Sequence, residues 1–232
     1  MHLRIKYGKN KRGRFISHLD LARAWERALR RAQIPLSYSQ GFNPHPRISF
    51  GSALAVGITS SGEYLDIVLK NNLSIKEIKA QLEKYLPAGL EIFDITEITD
   101  KAPSLMSIIN RAQYTIEVTA AEPVKDDYLH KLIRQLLNQE KIMVLRDTKK
   151  GCKEKDIKDG IFKIEGQLLA GNKIQLNLIL QTGSEGNVRP EEILQALKNT
   201  GLQPDLEIIN IHREGLFVGD GTHLISPLSV TS

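Results

Sequence analysis

Ser17-His18-Leu19-Asp20-Leu21-Ala22-Arg23-Ala24-Trp25-Glu26-Arg27-Ala28-Leu29-Arg30-Arg31-Ala32 is the run from which the fold is read. Ser17 and Asp20 have capping-box spacing, with the hydroxyl and the carboxylate expected to meet the first free backbone N–H groups of a helix. Leu21, Trp25, Ala28, Leu29 and Ala32 recur at helical period and predict a buried face. Pro35 lies just beyond the end, where a helix cannot continue. Upstream, Leu3, Ile5 and Tyr7 alternate over about residues 2–8, which predicts a strand. A basic turn, Gly8 to Arg14, and then Phe15-Ile16 connect it to the helix. Downstream come a Gly/Pro loop at 38–47, strands near 48–56 and 62–70, a helix at 74–86 ending before Pro87, and a strand at 90–98. The order β-α-β-β-α-β is the split βαβ arrangement of ferredoxin-like domains.

The second half predicts a similar order. A strand at 113–119 precedes a helix at 125–138, and extended segments follow near 141–147, 157–168 and 173–181. The next helix opens at Arg189-Pro190-Glu191-Glu192, with proline in the first turn and acids at the positive end of the dipole. A last strand is expected at 206–214. The expected class is α+β: two ferredoxin-like units in tandem, mostly antiparallel sheets with helices on one face. Residues 1–102 form the basic first domain and 103–232 the second. The extended segment at 157–168 is one more than a minimal six-element unit contains.

Length and composition agree with two soluble domains, at 232 residues with 41% apolar and 25% charged. No apolar run approaches the ~18 residues of a membrane span. The N-terminus alternates where a signal peptide would be continuously apolar, so a cytoplasmic protein without a membrane partner is expected. Cys152 is the one cysteine in the sequence. It excludes an internal disulfide and any site built from several thiolates of this chain. Lys149, Lys150 and Lys153 around it would depress a thiol pKa, although a solitary surface thiol is the simpler reading. The charge is uneven: residues 1–50 hold eleven Lys/Arg against two acids, residues 51–100 are net acidic, and the rest is neutral. Concentrated positive charge suits a polyanion.

Phe15-Ile16-Ser17-His18-Leu19-Asp20, Arg27 to Ala32, the run Tyr38-Ser39-Gln40-Gly41-Phe42-Asn43-Pro44-His45-Pro46-Arg47-Ile48-Ser49-Phe50, and Gly62-Glu63-Tyr64-Leu65-Asp66 together carry a family resemblance. With Gly186-Asn187-Val188-Arg189-Pro190 added, the chain resembles the radical SAM-linked (radical SAM-associated) bacterial proteins, an uncharacterised conserved domain. The resemblance implies a radical SAM protein as partner. That partner would hold the iron–sulfur cluster and S-adenosylmethionine, since one cysteine here cannot; no cofactor or metal is expected in this chain.

Arg23, Arg27, Arg30 and Arg31 share one helix face, and such a stripe either tracks phosphates or is simply solvated. Glu26 is placed to pair with Arg30 at i+4. Arg12, Arg14 and Arg47 in neighbouring loops, with Arg4 and Lys6 on the polar face of the first strand, favour phosphate binding. In the loop, Pro44 and Pro46 stiffen the backbone around His45. Tyr38 and Phe42 would stack on bases while Gln40 and Asn43 read their edges. Alternatively Phe42 plugs the core and His45 caps a carbonyl. His18 and His45 are candidate acid–base or metal-binding groups, with Glu63 or Asp66 to orient them. Gly215 to Gly221 is expected to be a turn. Three functions follow: an RNA-binding accessory of a radical SAM enzyme, with no catalysis of its own expected; a metal-independent ribonuclease-like enzyme using His18 or His45; or a protein-interaction subunit without RNA contact.

Overall fold

The computed structural model describes residues 1–148, 151–202, 206–220 and 223–232. In chain order the first elements are β1 (His2–Lys9), α1 (His18–Arg31), β2 (Ile48–Phe50), β3 (Thr59–Val68), α2 (Ile75–Glu83), β4 (Leu90–Ile98) and the short α3 (Leu105–Ile108). Then follow β5 (Arg111–Ala120), α4 (Asp126–Leu137), β6 (Met143–Thr148), β7 (Gly151–Asp156), β8 (Ile161–Leu168) and β9 (Lys173–Gln181). The chain closes with α5 (Pro190–Thr200), β10 (Leu206–Asp220) and β11 (His223–Ile225). The class is α+β with mostly antiparallel sheet. Among the described residues no helix is long and apolar enough to cross a membrane.

Two compact units divide the chain: residues 1–110 with 213–232, and residues 111–212. The division therefore falls after Asn110 rather than near 102, and the C-terminal segment returns to the first unit. Local packing accounts for this. Leu105 and Ile109 are buried, and the Asn110 side chain both donates to the Gly219 carbonyl and accepts from the Gly219 N–H. The expected glycine turn at 215–221 is instead the end of β10; Gly221 lies outside the described residues.

In the first unit β1 lies between β4 and β3, antiparallel to both, and β2 pairs with β3. The predicted strand at 48–56 is only three residues long. After it the chain leaves the sheet, and Gly57 N–H donates to the Arg14 carbonyl at 2.8 Å. Gly62 approaches Gly215 so closely that a Cβ on Gly62 would lie 2.6 Å from the Gly215 Cα, so a side chain at Gly62 would force the backbones apart. The core joins Leu3, Ile5 and Tyr7 of β1 to Trp25 and Leu29 of α1, Leu65 and Ile67 of β3, and Ile78 and Leu82 of α2. Helix α1 starts where its spacing predicts: the Asp20 N–H donates to Ser17 Oγ at 3.2 Å. The Asp20 carboxylate accepts from the Ser17 hydroxyl rather than from a backbone N–H, at 2.8 Å.

The opposite face of β1 corrects an expectation. Arg4 contributes nothing to a basic surface, because it is fully buried. Its guanidinium grips Asp66 bidentately at 2.8 and 2.9 Å and donates to the carbonyls of Pro103, Pro227 and Val230. Lys9 is also buried, with its ammonium 3.3 Å from the Arg14 carbonyl.

Burial raises the Tyr7 phenol well above its ordinary 10.0, and the Glu63 carboxylate adds to the shift. A raised folded-state pKa contributes stability that is complete below pH 10 and lost as the pH climbs towards the folded value. Stability measured by denaturant titration should thus fall progressively above about pH 10. Tyr7→Phe should flatten that fall; an unchanged alkaline slope would exclude Tyr7 as its source.

In the second unit β10 flanks β5, and the order continues through β9 to β8. Strand β5 alternates buried and half-buried positions along its whole length, the pattern of a strand with one face on a core. The additional segment expected at 157–168 is β8, paired with β9 in the main sheet, whereas the segment expected near 141–147 is β6 and forms a separate two-stranded hairpin with β7, a strand the sequence did not predict. Arg146 of β6 ties this hairpin to Glu192 of α5 at 2.5 and 2.7 Å. Glu192 also accepts from the Arg189 N–H at the start of α5, the carboxylate half of a capping box.

Candidate nucleic-acid interface

Helix α1 presents its arginines in two electrostatic states. Arg30 pairs with Glu26 at 2.6 Å, and Arg23 lies 3.4 Å from Asp20. Arg27 and Arg31 are exposed and have no ion-pair partner among the described residues. Exposed pairs on a helix are worth only tenths of a kcal/mol, so Arg23 and Arg30 remain able to exchange partners.

The loop at 38–47 is a hairpin-like excursion. Ser37 accepts from the Arg47 N–H, the Ser39 N–H donates to the His45 carbonyl, and the His45 N–H donates to Ser39 Oγ. Tyr38 bridges to Pro46. These bonds close the base and leave Gln40, Gly41, Phe42, Asn43 and Pro44 at an exposed tip. Gly41 takes φ +134°, a backbone region closed to most side chains. Phe42 is 107% exposed, so it does not plug the core. His45 is exposed and joins the loop through its backbone. The Lys70 ammonium sits 5.8 Å from the Tyr38 ring.

Around the start of α1, Arg12 is exposed and Arg14 lies with its guanidinium 4.6 Å from the Phe15 ring. Phe15 (66% exposed) and Leu19 (69%) stand out into solvent beside it. In the sequence Phe15 is a lead into the helix, and the arginine next to it is the local signal of another role. His18 packs edge-on against Phe50, with ring centroids 5.5 Å apart.

The proposed carboxylate orienters are engaged elsewhere. Asp66 is held by Arg4, and Glu63 is held by Arg213, whose Nε donates to Glu63 Oε1 at 2.7 Å. Both carboxylates are buried. Among the described residues no group of three His, Cys, Asp or Glu is placed to hold a metal. Cys152 is exposed, and desolvation together with the Asp147 carboxylate opposite it pushes its thiol up rather than down. Lys149 and Lys150 lie outside the described residues.

The molecule is thus an α+β protein with a basic helix and an exposed aromatic hairpin loop in its first unit. Over residues 2–190 it matches, and belongs to, the family described as "Uncharacterized protein conserved in bacteria (DUF2344)". No curated protein matches the chain. Among solved structures it is similar to a chain of a Cbf5-Nop10-Gar1 complex, with TM-score 0.47 and 10% identity over 91% of this chain and 47% of that one. A chain of an H/ACA RNP bound to a substrate RNA containing 2'-deoxyuridine gives TM-score 0.47 and 7% identity, over 90% and 46%. A chain of the archaeal box H/ACA sRNP Nop10-Cbf5 complex gives 0.48 and 8%, over 91% and 46%. The present chain spans a little under half the length of each.

Proposed function

We propose that the protein binds RNA through its first unit and acts as an accessory to a radical SAM enzyme that modifies or processes that RNA. The observation that carries the reading is Phe42: a fully exposed aromatic ring at the tip of a hydrogen-bonded loop, in the segment that holds the excess of positive charge. Exposing a phenyl ring is unfavourable in water, whereas base stacking covers both of its faces. Arg12, Arg14, Arg23, Arg27, Arg30, Arg31 and Arg47 supply phosphate contacts, with Tyr38, Gln40, Asn43 and His45 around the ring. The radical SAM partner rests on the sequence resemblance alone, and it would bring the iron–sulfur cluster and S-adenosylmethionine. The strand orders β4-β1-β3-β2 and β10-β5-β9-β8 support reading each unit as ferredoxin-like, the second with the β6–β7 hairpin inserted.

Phe42→Ala should leave the thermal midpoint unchanged while weakening binding of a mixed-sequence single-stranded RNA by about 1–3 kcal/mol. Filter binding at low salt measures this. No RNA affinity in the wild type at 50 mM salt would overturn the proposal.

A protein-docking reading is favoured by one observation, the exposed Phe15, Leu19 and Val56 side chains, the last next to Gly57, which bonds to Arg14. Association with a partner that survives nuclease treatment would support docking over RNA binding.

A further inference from the structure

Arg27 and Arg31 are four residues apart on α1 and line a cleft of about 370 Å³ with Ala24 and Ala28. Its other wall is the chain leaving α2: Lys84, Tyr85, Leu86 and Pro87. No acidic residue lines this cleft; Glu77 belongs to the adjoining one beyond Arg31. Two features keep the positive charge unneutralised. Glu83, the nearest acid in sequence, lies 3.9 Å from Lys79 on α2 itself. In the last turn of α2 the Gln81 and Leu82 carbonyls accept from the N–H groups of Lys84, Tyr85 and Leu86, which blunts the negative end of the helix.

Three cations gathered in a concave surface repel one another, and an anion that enters relieves the repulsion. Arginine offers forked donors that match phosphate, and the small Ala24 and Ala28 beside the arginines leave room for the ligand to approach the helix. Tyr85 is 42% exposed, and its ring supplies a flat apolar face beside the cations. Charge with an adjoining ring suits a nucleotide unit, phosphate on the cations and base on the ring.

We propose that this cleft is a single-nucleotide subsite for single-stranded RNA, in which Arg27, Arg31 and Lys84 hold the phosphodiester and Tyr85 stacks on its base. It rests on the RNA-binding reading and adds Lys84 and Tyr85, which lie outside the basic N-terminal segment.

The test uses the full chain and a fluorescently labelled mixed-sequence single-stranded RNA, titrated from 50 to 400 mM salt. Lys84→Gln should lower affinity about five- to ten-fold at 50 mM and reduce the log–log salt slope by about 0.7, one phosphate contact. Tyr85→Ala should lower affinity roughly ten-fold and leave the slope unchanged. Both residues are exposed, and circular dichroism verifies the fold. Wild-type binding with both variants unaffected would overturn the subsite alone. A wild type that does not bind RNA would overturn the functional reading and the subsite together. Loss of slope in Lys84→Gln without any effect of Tyr85→Ala would refute the stacking and reduce the cleft to a phosphate contact.

Discussion

Replacing Arg4 with methionine is expected to lower the unfolding free energy by about 3–5 kcal/mol, the range for breaking a buried ion pair by removing one partner. The guanidinium has no exposed surface and makes two bonds to Asp66 and three to backbone carbonyls. Methionine fills similar volume but donates nothing. The Asp66 carboxylate, 3% exposed, would be left as a bare charge, and three carbonyls would each lose the arginine as a donor. Because two of those carbonyls belong to Pro227 and Val230, the C-terminal segment should loosen first and become sensitive to carboxypeptidase. The double variant Arg4→Met, Asp66→Leu should recover much of the loss, since removing a buried pair together is often nearly neutral. Trp25 is the one tryptophan in the sequence and is buried in the first-unit core, so its fluorescence during urea unfolding reports the change. A loss below 1 kcal/mol would show that Arg4 does not hold this face.

Glu63→Gln should cost a similar amount, about 3–5 kcal/mol, but loosen a different segment. Arg213 comes from β10 and meets Glu63 of β3 across 150 residues of sequence. It also donates to the carbonyls of Ser52 and Ala53 at 3.0 and 3.4 Å. Glutamine keeps the shape and one acceptor but leaves the guanidinium without a counter-charge at 1% side-chain exposure. The loop between β2 and β3 should then become the site of faster proteolysis. Arg213→Lys preserves charge without the planar fork and should fall between the wild type and Glu63→Gln. Equal stability of Glu63→Gln and wild type would exclude the pair as a fastening of that loop.

Both predictions concern residues whose situation the sequence does not disclose. Alternation along β1 puts Arg4 opposite Leu3, Ile5 and Tyr7, which reads as a solvent face. That face is covered by residues near 103 and near 227–230, and nothing local in β1 signals so distant a cover. Lys9 is buried for a comparable reason, beneath the turn that follows it. Two charges counted towards a basic surface therefore do not belong to it. Glu63 and Asp66, three residues apart, look like free acids in the sequence, yet each is consumed by an arginine that pairing brings alongside. By contrast, the Ser17 cap, the buried face of α1 and the Glu26–Arg30 pair all follow from spacings of three and four residues, and all are present.

Local rules thus determined the helices, the Ser17 cap and the alternating strands such as β1 and β5, because hydrogen-bonding period and side-chain alternation act over a few residues. They also located the dense positive charge and singled out the loop around Phe42. Tertiary structure alone decided which cations reach solvent, that the chain returns to its first unit at Arg213, and that Lys84 and Tyr85 stand beside Arg27 and Arg31. Each of those facts depends on contacts between segments far apart in sequence, whose cost in chain entropy is offset only when the whole unit closes its core.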